Sequence, residues 1–112
     1  MKPSLALQGK EEAIRELVAR YRTANPRVFG SVLHGSDKDG SDLDILVDTL
    51  PGATLFDLGG LTEELTELLG IPVDVRTPRE LPEKFRERVV AEARPVRRQA
   101  GRLSGAHRKR GP

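Results

Sequence analysis

Hydrophobic positions recur at helical spacing between Lys10 and Arg22. Ile14, Leu17, Val18 and Tyr21 share one face, and Asn25-Pro26 marks a stop. Arg27 to Phe29 reads as a short strand, followed by a glycine- and acid-rich loop from Gly30 to Ser41. Leu43, Ile45 and Val47 then alternate with Asp42, Asp44, Leu46 and Asp48, which is strand period. After the Leu50-Pro51-Gly52 turn, Leu61, Leu65, Leu68 and Leu69 predict a second helix over 58–69, with Asp57 as N-cap and Gly70 as its end. Ile71, Val73 and Val75 alternate as a further strand. Thr77 opens a third helix, with Leu81, Phe85 and Val89 on one face, Pro82 in its first turn and Pro95 past its end.

The order α-β-β-α-β-α predicts an α+β fold of two layers, a small mixed sheet of about three strands covered by helices on one side. The chain of 112 residues is long enough for one domain. The expected division is a folded domain over 1–93 and a basic, partly disordered tail over 94–112.

Charge supports that division. Residues 1–93 hold all 17 acidic residues and 12 of the 19 Lys and Arg, a net −5, whereas residues 94–112 hold seven basic residues and no acid, a net +7. Such a tail suits RNA, an acidic partner or water alone, and solvation is the favoured reading. There is no cysteine, which excludes thiol chemistry and a disulfide framework, and the four aromatic residues are too few for a base-stacking platform. No apolar run approaches a membrane span and no apolar targeting core opens the chain, so the expectation is a soluble cytoplasmic protein with no membrane contact.

The chemistry concentrates between Val28 and Asp48, where five aspartates fall. Leu43, Ile45 and Val47 claim the core, so Asp42, Asp44 and Leu46 take the other face of their strand. Carboxylates two residues apart on one face stand roughly 6–7 Å apart at their Cα atoms, close enough to serve one divalent cation or two neighbouring ones. Asp74 has the same placement in Ile71-Pro72-Val73-Asp74-Val75, and pairing of the two strands completes a cluster of three carboxylates. Hard oxygen ligands suit Mg²⁺ or Mn²⁺. Gly30 allows close backbone approach, and the Ser31 hydroxyl and following amides can donate to phosphate oxygens. Donors for phosphate beside carboxylates for metal describe a nucleoside triphosphate site.

Competing motifs fail on detail. Gly30-x4-Gly35 begins like a Walker A loop, but Ser36 stands where the lysine belongs. Asp37, Asp39, Ser41 and Asp48 fall at calcium-loop positions, but Asp42 replaces the required glycine and a strand pattern follows. Asp37 and Asp39 read as a polar turn.

Gly30-Ser31, ten residues, Asp42-x-Asp44 and a later Asp74 within Val-Asp-Val together resemble the nucleotidyltransferase superfamily that includes DNA polymerase beta and kanamycin nucleotidyltransferase. Small size and the ending VDVRTPREL…FRERVVAEA are similar to the minimal nucleotidyltransferases, over about residues 10–93. The resemblance implies that Gly30 and Ser31 hold the triphosphate, with His34 and Ser41 as further candidate nucleotide contacts. It implies that Asp42, Asp44 and Asp74 are catalytic metal ligands for two ions, Mg²⁺ or Mn²⁺, and that ATP is the substrate. One departure is His34, where many relatives carry Arg; an imidazole contacts phosphate as a cation only when protonated. Minimal nucleotidyltransferases resemble antitoxins that transfer AMP to a HEPN-domain ribonuclease toxin, so the resemblance implies a HEPN toxin as protein partner. The alternatives are a non-catalytic antitoxin that neutralises by binding, or nucleotidyl transfer to RNA or a small molecule.

Overall fold

The computed structural model describes residues 1–97. Its order is α1 (Pro3–Leu7), α2 (Glu11–Arg20), β1 (Thr23–Phe29), β2 (Leu43–Thr49), α3 (Leu55–Leu69), β3 (Val73–Arg76), a 3-10 turn (Pro78–Glu80), α4 (Glu83–Glu92) and β4 (Arg94–Pro95). The sheet runs β3-β2-β1-β4, with β1 antiparallel to both β2 and β4, and β2 parallel to β3. The mixed α+β sheet is as expected, with a fourth short strand added.

The main core lies on one face of the sheet. Ile14, Leu17 and Val18 of α2 and Leu61, Leu65 and Leu69 of α3 pack with Val28, Leu43, Ile45, Val47 and Val73. The helical and strand periodicities thus select the buried set, as the hydrophobic effect requires.

Several boundaries differ for physical reasons. The helix expected over 10–22 ends at Arg20, and its expected stop, Asn25-Pro26, lies inside β1, where the register with β2 shifts between Ala24 and Arg27. Asn25 takes φ 57, a conformation asparagine tolerates, and Asp48 accepts from its side-chain amide at 3.1 Å. Arg27, 8 % exposed, donates to the same Asp48 carboxylate at 2.6 Å, so charge pairs across the bulge. Thr54, not Asp57, is the N-cap of α3; Asp57 accepts from the Thr54 amide as the other half of a capping box.

The third helix also starts later than expected. Thr77 and Glu80 cap a 3-10 turn, Leu81 and Pro82 interrupt it, and α4 then carries no buried residue. Arg86 fastens α4 by donating to the carbonyls of Pro78, Arg79 and Leu81. The expected domain end at residue 93 also moves: Arg94 and Pro95 pair with Val28 and Arg27, and Val96 is buried at 3 % exposure. The tail beyond Arg97 lies outside the described residues.

Candidate active site

Asp44 sits on the face of β2 turned away from the main core. Antiparallel pairing sets Phe29 opposite Asp44, which brings Gly30, the next residue, beside the Asp44 side chain. The approach is so close that a Cβ on Gly30 would collide with Asp44 Oδ2 and stand 3.0 Å from its Cγ. Gly30 also has φ 77, so glycine is required twice over. The glycine-serine turn foreseen as a phosphate cradle is therefore built against a carboxylate.

Parallel pairing sets Asp74 opposite Asp44 across the β2–β3 boundary. Burial, first, and then the charges of Asp74 and Asp42 push the Asp44 carboxyl up to about 6, with Arg76 opposing. The three aspartates thus share one electrostatic neighbourhood. They do not close into a cage: among the described residues no three His, Cys, Asp or Glu side chains group tightly enough to hold a metal ion as they stand. Asp74 is instead taken by Arg76, whose Nε lies 3.1 Å from Asp74 Oδ2. The donor set still fits a hard divalent cation. It offers carboxylate oxygens, and a cation would relieve the repulsion from Asp74 and Asp42 that adds to burial in raising Asp44.

The loop between Gly30 and Asp42 is held by its own backbone. His34 N–H donates to Gly30 O at 3.2 Å and Ser36 N–H to Ser31 O at 2.9 Å, which winds residues 30–36 into a compact turn. Two of the expected nucleotide contacts are engaged elsewhere. The His34 Nε2 lies 3.6 Å from Glu92 Oε1 at the end of α4. The Ser41 hydroxyl accepts from the Lys38 amide at 3.0 Å and closes a turn before Asp42. Asp37, expected in a polar turn, is buried and accepts from the Ser4 amide at 2.9 Å, a hydrogen bond that holds its carboxyl below the usual carboxylate range.

Two features of this face were missed. Leu46 is fully buried outside the main core cluster, on a strand that the 3-10 turn contacts. A lone leucine among aspartates was the signal for that burial. Arg76 is the other, and its place two residues from Asp74 on one strand face was legible.

Aspartates on two neighbouring strands lie beside a glycine-serine turn, a donor set whose chemistry suits phosphate and divalent cations. The chain matches the nucleotidyltransferase domain family over residues 10–97. It belongs to that family and is a nucleotidyltransferase. It is 35% identical over 77 residues to a Methanocaldococcus jannaschii protein assigned by name as a protein adenylyltransferase, covering 69% of this chain and 83% of that one. A solved structure described as a minimal nucleotidyltransferase is 42% identical, with a TM-score of 0.71 over 78% of this chain and 89% of its own. A solved complex of a tri-AMPylated Shewanella oneidensis HEPN toxin with an MNT antitoxin shares the fold at 19% identity, with a TM-score of 0.58 over 89% of this chain and 79% of its own. No helix among the described residues is long and apolar enough to cross a membrane.

Proposed function

We propose that this nucleotidyltransferase moves AMP from ATP to a hydroxyl of a partner protein, in the cytoplasm, and that the partner is a HEPN-type toxin that it neutralises. The observation that carries the reading is the fit of Gly30 against the Asp44 carboxylate, with Asp74 as the register partner of Asp44. The names carried by the Methanocaldococcus jannaschii relative and the Shewanella oneidensis complex support the choice of acceptor and nucleotide.

The residues divide the work. The turn at Gly30-Ser31 binds and orients the triphosphate through backbone amides and the Ser31 hydroxyl. Asp42 and Asp44 would hold divalent ions, Mg²⁺ foremost, with Asp74 joining them. Such ions, when bound, neutralise charge on the entering and leaving oxygens. Asp74, on the edge strand, faces the acceptor and takes the proton of its hydroxyl. A bond forms from that oxygen to the α-phosphorus as the bond to the β-phosphate oxygen breaks, and pyrophosphate leaves.

The test uses a HEPN-domain partner, Mg²⁺ and ATP labelled at the α-phosphate. The expected result is label on a partner hydroxyl, none from γ-labelled ATP, and no transfer by Asp42→Asn/Asp44→Asn. A partner that stays unlabelled while its toxicity is suppressed would refute transfer. Suppression retained by the double variant would favour neutralisation by binding alone.

A further inference from the structure

Arg76 follows Asp74 by two residues on edge strand β3, so the two side chains leave the same face of the sheet. The Arg76 Nε stands 3.2 and 3.1 Å from the two oxygens of Asp74. Both side chains are open to solvent, 47% and 39% exposed. The Asp74 carboxylate is thus held along its own strand by a guanidinium, although its register partner across the sheet is Asp44. Solvent screens a pair of this kind and two side chains must be held to keep it, so it is weak and readily exchanged.

We propose that Arg76 is the resident counter-cation of the aspartate cluster, a positioning residue that keeps Asp74 on its own strand until a divalent ion displaces it. The inference rests on the nucleotidyl-transfer reading in one respect, that Asp42, Asp44 and Asp74 are the ligands. Two consequences follow from charge alone. Arg76 cancels one negative charge of the cluster and so weakens cation uptake by the protein without nucleotide. Once displaced, its guanidinium carries donors suited to a phosphate oxygen. The site then fills best when cation and triphosphate arrive together, which restrains idle occupation by metal.

The experiment is a titration with Mn²⁺ alone, free ion being read by electron paramagnetic resonance, on the full chain without nucleotide. Arg76→Gln is expected to bind Mn²⁺ about five-fold tighter than the unaltered protein, the size of one unit charge removed at close range in a solvated site. Arg76→Lys keeps the charge and is expected to stay within about twofold of the unaltered protein. Adding Asp74→Asn to Arg76→Gln is expected to cancel the gain. Circular dichroism confirms that each variant is folded. Mn²⁺ binding that is unchanged or weaker in folded Arg76→Gln overturns the inference and leaves the nucleotidyl-transfer reading standing. If no folded form takes up Mn²⁺, with or without an ATP analogue, both fall together.

Discussion

Replacing Asp44 by Asn is expected to reduce nucleotidyl transfer by a factor on the order of 10³ or more, since it removes a preorganised charge from the centre of the site. The same change is expected to stabilise the metal-free protein at neutral pH. Folding raises the Asp44 carboxyl from 3.8 to about 6, through burial and the charges of Asp74 and Asp42. The folded protein therefore binds this proton more tightly than the unfolded chain does. Its contribution to stability is fully present below about pH 4 and is lost as pH rises through about 6. Asn carries no charge to desolvate, so the variant should gain about 1 kcal/mol over the unaltered protein at pH 8, after allowance for solvent screening of a partly exposed group. Near pH 4 the two should be equally stable. Denaturant melts at the two pH values, in chelator, read this directly. Opposite signs for activity and stability mark a residue kept for function at a cost to the fold. A loss of stability at pH 8 would contradict the placement of Asp44 among like charges.

Gly30→Ala is expected to damage the site in a different way. The left-handed φ of 77 costs an alanine on the order of 1 kcal/mol, and the new methyl must displace the Asp44 carboxylate. Shifting a reacting group by an ångström loses on the order of 10²-fold in rate, and a drop of that size is the expectation. Gly40 provides the comparison. It has φ 87, but a Cβ there meets nothing within 4 Å. Gly40→Ala should therefore show the stability loss of backbone strain with transfer nearly intact. Equal loss of activity in the two variants would mean that contact with Asp44 is not what Gly30 protects.

How much of this was readable before the structure depended on whether the signal was local. The alternation of Leu43, Ile45 and Val47 with Asp44 is local, and those three apolar residues are buried in the main core. The α3 stripe of Leu61, Leu65 and Leu69 is equally local, and those residues are buried. The cap of α3 was misplaced because Thr54 and Asp57 share the work, and either alone satisfies a capping rule. β4 was invisible because two residues carry no period; it exists through pairing with β1. Val96, apolar amid basic residues, was its one trace. The partners of His34 and Ser41, Glu92 and Lys38, depend on how the loop folds back, which no local pattern shows. The ion pair of Arg76 with Asp74 likewise needed β3 as an edge strand with its outer face open.

The most direct test of the account is calorimetry with the non-transferable analogue α,β-methylene ATP, in Mg²⁺ and again in chelator. If Gly30, Ser31, Asp42, Asp44 and Asp74 form one nucleotide and cation site, binding should be at least about tenfold tighter with Mg²⁺. That advantage should vanish in Asp42→Asn/Asp44→Asn. Equal affinity with and without the cation, or a Mg²⁺ advantage that survives loss of both carboxylates, would contradict it.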